Sequence, residues 1–249
     1  MKTTLLFSVT ALMALPLWAA DLADEVKAAA KKLADKPNYS WTAKAESAQQ
    51  GQGRRGFSPP SGKTEKNGLT VLTYTIGERT IEAVRKGDKV AVKSGDAWKT
   101  GEELASDSGD GAPNPQRFMA RGVQQAKLPA TDAEELAGRV KDLKKDGDAY
   151  TGVLTAEAIK QMFSFGGRRP GGDGGGAGAG PDTSGLKGTA KFWVKDGVLS
   201  KYETRVEGKM SFGRDGQERD INRATVTEIQ EVGSTKIEVP AEAKKKLGA

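Results

Sequence analysis

The chain has 249 residues, a net charge of +6, and neither cysteine nor histidine. The missing side chains exclude a disulfide framework, a thiolate nucleophile, the Ser-His-Asp triad and the usual zinc ligands. We therefore expect a non-enzymatic protein without metal or cofactor, and the enzymatic alternative is a hydrolase that uses two carboxylates.

Residues 1–20 have the pattern of a secretory signal peptide. Lys2 supplies one positive charge, an apolar run covers 5–18, and small residues precede Asp21. The run has about 14 residues, fewer than the roughly 20 that a transmembrane helix needs. The sequence thus predicts export to the periplasm or the cell exterior, with no integral membrane segment after cleavage and a single domain over 21–249.

The first half of that domain predicts a helix followed by an antiparallel meander. Apolar residues at helical spacing indicate a helix over 21–36, which Pro37 ends. A low-complexity loop is expected at 49–63, where glycine, glutamine, serine and proline dominate. Turns that contain glycine separate the predicted strands, which are 39–46, 69–76, 80–85 and 89–93.

The second half predicts further helices, several strands and a second low-complexity loop at 166–181. Helical segments are expected at 116–127, 132–137, 156–163 and 241–247. Strands are expected at 138–144, 149–155, 189–195, 201–212, 222–230 and 236–239. The most regular pattern is 201–212, where apolar or small residues alternate strictly with polar ones. Such alternation indicates a strand with one face on a core or cavity and the other in water.

The charge pattern indicates a soluble, mildly basic surface, and the alternative is attraction to an anionic surface of the cell envelope. Aromatic residues make up only 6% of the chain, so an exported protein of this composition is not expected to bind nucleic acid. Each low-complexity loop carries a double arginine, Arg54 and Arg55 in the first and Arg168 and Arg169 in the second. Guanidinium groups suit phosphate and carboxylate, although the same arginines could simply keep the loops soluble.

Two stretches of the sequence resemble a known family. Residues 87–98 begin Gly-Asp-Lys-Val and end Gly-Asp-Ala-Trp, and residues 191–199 read Lys-Phe-Trp-Val-Lys-Asp-Gly-Val-Leu. With the leading helix and the order of elements, they resemble periplasmic lipoprotein carriers of the LolA and LolB type and lipid-binding lipoproteins of the LppX/LprG type. The resemblance implies an α+β fold, in which helices cover the open side of a strongly curved antiparallel sheet (an incomplete β-barrel). It also implies an apolar cavity for acyl chains.

Ten large side chains at predicted inward positions are candidates for lining such a cavity, and the alternative is that they fill the core. They are Trp41, Tyr74, Trp98, Phe118, Met162, Phe163, Tyr202, Val206, Met210 and Phe212. Arg54, Arg55, Arg168 and Arg169 are candidates for contacting an anionic group. The expected function is therefore an exported, soluble protein that holds an acyl lipid or another amphiphile. The alternative function is an envelope interaction or structural protein with a filled core, which binds partners through its Arg/Gly-rich loops.

Overall fold

Eleven antiparallel strands form one sheet in the part of the chain that the computed structural model describes, namely residues 18–47, 59–76, 79–106, 115–164, 181–212 and 217–248. The strands are β1 Asn38–Ser47, β2 Ser61–Glu65, β3 Thr70–Ile76, β4 Arg79–Lys86, β5 Lys89–Ser94, β6 Ala97–Thr100, β7 Val140–Asp146, β8 Ala149–Leu154, β9 Leu186–Lys195, β10 Val198–Phe212 and β11 Gln217–Gln230. The helices are α1 Trp18–Ala34, α2 Gly101–Ser106, α3 Pro115–Gln125, α4 Pro129–Ala137, α5 Ala156–Ser164 and α6 Ala241–Leu247.

The sheet is open, and its order is β6-β5-β4-β3-β2-β1-β11-β10-β9-β8-β7. The first strand joins the last, with Trp41 opposite Ile229. Strands β6 and β7 are the two edges, and helices α2, α3 and α4 lie between them in the sequence. Val92 of β5 and Leu143 of β7, near opposite edges, belong to the same buried cluster. The sheet therefore curves around its helices, which confirms the predicted incomplete barrel of the α+β class.

Helix α1 packs on the concave face of this sheet. Val26, Ala30 and Leu33 are fully buried there, at the helical spacing that the sequence predicts. Glu25 fixes the helix to the sheet, because its Oε2 accepts hydrogen bonds from the Lys145 Nζ at 2.7 Å and the Tyr150 hydroxyl at 2.5 Å.

Strands β4 to β6, at one end of the sheet, are covered on both faces. Ala83 belongs to the main core, whereas the next residue, Val84, belongs to a second cluster that α6 helps to form. Consecutive residues of a strand point to opposite faces, so the second cluster lies on the convex side. Its members are Val84, Ala91, Trp98, Val239, Ala243 and Leu247.

Most predicted elements are present, but β6 and α2 were not predicted, and two predicted segments differ. The predicted loop 49–63 ends in a strand, because 61–65 pair with both β1 and β3. The predicted strand 236–239 is not a strand, and its last residue, Val239, packs into the convex cluster instead. Residues 1–17 of the predicted signal peptide lie outside the described residues. Among those described, no helix is both long and apolar enough to cross a membrane.

Candidate functional site

A cavity of about 360 Å³ lies between the concave face of the sheet and helices α4 and α5. Strands β1, β10 and β11 form its floor, and both helices form its walls. Its apolar lining consists of Trp41, Ala43, Pro59, Pro60, Ala126, Pro129, Leu136, Ala158 and Met162. Its polar lining consists of Gln125, Lys127, Asp132, Glu135, Arg139, Gln161, Tyr202, Thr204, Thr225 and Thr227. The lining thus combines apolar residues with hydroxyl, amide and charged groups.

Two other cavities lie at the surface of the described residues. One of about 490 Å³ is lined by residues that include Lys89, Glu102 and Arg121, and one of about 370 Å³ by residues that include Glu25 and Lys145. Neither is lined by any of the ten side chains that the sequence predicts to contact a ligand. We therefore take the cavity beside α4 and α5 as the candidate site and call it the α4–α5 cavity.

Trp41 lines the α4–α5 cavity, and its contacts hold the indole in a fixed position. Its indole Nε1 donates a hydrogen bond of 2.8 Å to the Pro60 carbonyl oxygen, and only 4% of the residue is exposed. The ring lies against Gly62 on β2, where an added Cβ would come within 2.7 Å of the Trp41 Cζ2. A glycine is therefore required at position 62 for the indole to lie flat against β2.

Strands β10 and β11 contribute four residues with hydroxyl groups to the lining of the cavity. Tyr202 and Thr204 on β10 stand opposite Thr227 and Thr225 on β11, and all four line the cavity. The Tyr202 hydroxyl donates a hydrogen bond of 2.9 Å to the Oδ2 of Asp132 on α4. Burial raises the pKa of Tyr202, and the adjacent Asp132 carboxylate raises it further. The tyrosine therefore remains a neutral donor and joins α4 to the sheet.

Three charged residues form the rim of the cavity. Glu135 lies between two cations, with its Oε2 at 2.5 Å from the Lys127 Nζ and 3.2 Å from the Arg139 Nη2. The Lys127 hydrogen bond is the main reason why the pKa of Glu135 is lowered. The same lining also contains the Asp132 carboxylate, so its two cations are balanced by two carboxylates.

Asp132 gives the protein a testable pH dependence. Burial raises the pKa of this carboxyl from its ordinary 3.8, although the hydrogen bond from Tyr202 opposes the rise. Because the folded state binds this proton more tightly than the unfolded chain, the contribution of Asp132 to stability falls as pH rises from 3.8 through the folded-state pKa. The free energy of unfolding of Asp132→Asn, relative to wild type, should therefore increase across this window and level off above it.

Urea unfolding of both proteins between about pH 3.5 and 7 measures this difference. All other ionisable groups are common to the two proteins, so their contributions largely cancel. A difference that stays constant with pH would mean that Asp132 titrates in the folded protein as it does in the unfolded chain.

The predicted ligand-contacting residues fall into four groups. Trp41, Met162 and Tyr202 line the α4–α5 cavity. Tyr74, Phe163, Val206 and Met210 belong to the concave core without lining that cavity. Trp98 lies in the convex cluster, on the other face of the sheet. The side chains of Phe118 and Phe212, and all of Arg54, Arg55, Arg168 and Arg169, lie outside the described residues.

Sequence reasoning missed Asp132, although this residue lines the cavity. Asp132 lies four residues after Leu128 and four before Leu136, both of which pack with the concave core. Residues four apart share one face of a helix, so an acid at this position belongs to the apolar face. That spacing is the signal that could have identified Asp132 in the sequence.

Comparison with known proteins gives structural matches only. No protein-family profile matches the sequence, and neither does any curated protein. The lipoprotein LppX of Mycobacterium tuberculosis is 14% identical over 89% of this chain and 99% of its own, with a TM-score of 0.48. LprF from Mycobacterium bovis is 11% identical over 90% of this chain and 98% of its own (TM-score 0.43). A LolA superfamily protein from Nitrosomonas europaea is 10% identical over 88% and 94%, respectively (TM-score 0.30). The matches include the LppX and LolA types that the sequence resembles.

Proposed function

We propose that the chain is an exported, non-enzymatic binding protein that holds an amphiphile in the α4–α5 cavity. The observation that carries the proposal is the mixed lining, which includes Trp41, Leu136 and Met162 together with hydroxyl and charged groups. A volume of about 360 Å³ lies within the usual range for small-molecule sites. Each methylene group that enters the apolar part contributes roughly 0.8 kcal/mol.

The arrangement of the carboxylates favours binding over hydrolysis. A retaining or inverting glycosidase needs one carboxyl group as acid and a second that is free to act as base or nucleophile. Asp132 and Glu135 both line the cavity, but Glu135 is held in ion pairs with Lys127 and Arg139. This pairing leaves the second carboxylate occupied, so we favour a protein that binds its ligand without changing it.

Native mass spectrometry of residues 21–249, purified without detergent from the exported fraction, tests the proposal. We expect an adduct of lipid mass that disappears after solvent extraction, and its mass would identify the ligand class. A bare protein that also fails to bind added dodecyl-chain compounds would contradict the proposal. In that case the cavity would be an unoccupied gap between the sheet and the helices.

A second candidate function is attachment to an anionic envelope surface. The Nζ atoms of Lys191 and Lys201 each lie 4.8 Å from the centre of the Trp193 ring. The outward-facing residues of β9 also include Lys187, which is exposed. Lysine and tryptophan together suit the interface of a bilayer with anionic lipids.

Sedimentation with phosphatidylglycerol vesicles at low salt tests this surface. We expect the chain to bind these vesicles but not phosphatidylcholine vesicles, and the double variant Lys191→Glu, Lys201→Glu to lose most of the binding. The control double variant Lys86→Glu, Lys89→Glu, at the exposed turn between β4 and β5, changes the net charge by the same amount and should retain the binding. Equal loss in both variants would indicate net charge alone, and no binding by wild type would exclude this second function.

A further inference from the structure

The carboxylate of Asp132 lies in the α4–α5 cavity with few partners of its own. Among the described residues, its one hydrogen-bond donor is the Tyr202 hydroxyl, which binds Oδ2. The nearby cations, Lys127 and Arg139, are both engaged with Glu135. Asp132 therefore lines the cavity without an ion pair to any described residue.

A carboxylate in this position selects among ligand headgroups. Carboxylate oxygens accept several hydrogen bonds and donate none when ionised, and burial of such a group is unfavourable unless a donor or a cation compensates it. An ammonium group supplies both the charge and the hydrogen bonds, and a hydroxyl group supplies a hydrogen bond alone. A phosphate or sulfate group placed beside Asp132 would bring two negative charges together.

The neighbouring lining extends this preference. Thr204 and Thr225 stand opposite each other across β10 and β11, and Thr227 follows on the same face. Threonine hydroxyls both donate and accept hydrogen bonds, so they can bind the further hydroxyl groups of a polar headgroup. The apolar residues Trp41 and Met162 line the same cavity, which gives one ligand room for a chain and a headgroup.

We propose that the cavity selects amphiphiles whose headgroup donates hydrogen bonds, an ammonium or a hydroxyl group, and that this group binds Asp132. The inference rests on the proposed function, because it assumes that the α4–α5 cavity is the ligand site. It names the ligand class as amine- or hydroxyl-bearing amphiphiles in preference to anionic ones. Asp132 is the residue that determines this specificity.

Titration calorimetry with three probes of equal chain length tests the selection. Dodecylammonium, dodecanol and dodecyl sulfate share the apolar chain and differ only in the headgroup; the two ionic probes are used below the concentration at which they form micelles, and dodecanol below its solubility limit. Wild type should bind dodecylammonium at least about tenfold more tightly than dodecyl sulfate, with dodecanol between them, as expected for a hydrogen bond to a charged acceptor. Comparison of the first two probes distinguishes an ammonium ligand from a hydroxyl ligand.

Three variants separate recognition from a purely structural role of Asp132. Asp132→Asn should bring the affinities for dodecylammonium and dodecanol within about twofold of each other. Asp24→Asn, which removes the same charge from an exposed position on α1, should leave the order of the probes unchanged. Tyr202→Phe removes the hydroxyl that joins the sheet to α4, yet it should keep the preference for dodecylammonium because Asp132 remains.

Each result decides the inference. If wild type binds dodecyl sulfate as tightly as dodecylammonium, or if folded Asp132→Asn keeps the wild-type order, Asp132 does not determine specificity. Equal binding of all three probes would overturn this inference and leave the proposed function intact. Failure of every probe to bind would contradict both.

Discussion

We expect Phe192→Ala to lower the free energy of unfolding by about 3–5 kcal/mol. Phe192 is fully buried and lies in the middle of β9, between Tyr150 on β8 and Tyr202 on β10. All three side chains belong to the concave core. Removal of the ring leaves a void that is bounded by strands on both sides, so the surroundings can fill it only in part. Urea unfolding at neutral pH measures the change.

Val153→Ala is the matched control for this prediction. Val153 lies on the neighbouring strand β8 and is 49% exposed, so its truncation should change stability by no more than about 0.5 kcal/mol. A loss of less than about 1.5 kcal/mol in Phe192→Ala would mean that the core repacks around the void. The expected large loss would indicate that the core is densely packed at Phe192.

The regular parts of the fold could be predicted because each strand carries its own pattern. Tyr202, Val206 and Met210 are buried, as the alternation in 201–212 predicts. Strand β2 was missed because it looks like a loop on its own. Its Gly62 has no side chain to reveal the strand, and the Val71 carbonyl oxygen and the indole of Trp41 together explain why none is tolerated there. Those contacts join neighbouring strands and are absent from the local sequence.

The convex cluster could not be predicted for a similar reason. Trp98 was assigned to the cavity because large apolar residues in a meander usually face the core. In this fold α6 and Val239, from the end of the chain, cover the other face of β4 to β6. Alternation shows that two faces exist, but it does not show which face a distant segment will cover.

Three of the predicted ligand-contacting residues line the candidate site. Trp41, Met162 and Tyr202 were identified from their size and inward position, and they line the cavity. Asp132 was missed because its role depends on a hydrogen bond to Tyr202, 70 residues away along the chain. Helical spacing could place Asp132 on the apolar face of α4, but its hydrogen bond to Tyr202 joins a helix to a distant strand and required the structure.

We expect Ala43→Phe to weaken the binding of a dodecyl-chain amphiphile by at least about tenfold, which corresponds to 1.4 kcal/mol or more. Ala43 lies on β1 and lines the α4–α5 cavity, and it is half-buried there. Its backbone N–H donates a hydrogen bond of 3.0 Å to the Ser61 Oγ, so the position of the backbone is fixed. An aromatic ring at position 43 would therefore occupy space that the ligand chain needs.

Thr42→Phe provides the control within the same strand. Thr42 is the preceding residue, pairs with Glu228 on β11 and points to the opposite face of the sheet. The ring then lies outside the cavity, and the affinity should change by less than about twofold. Equal weakening in both variants would mean that the added ring distorts β1 itself. If neither variant weakens binding while both remain folded, the ligand occupies a different cavity. Because the two substitutions add a ring at adjacent positions of one strand, their difference measures the effect of filling the α4–α5 cavity.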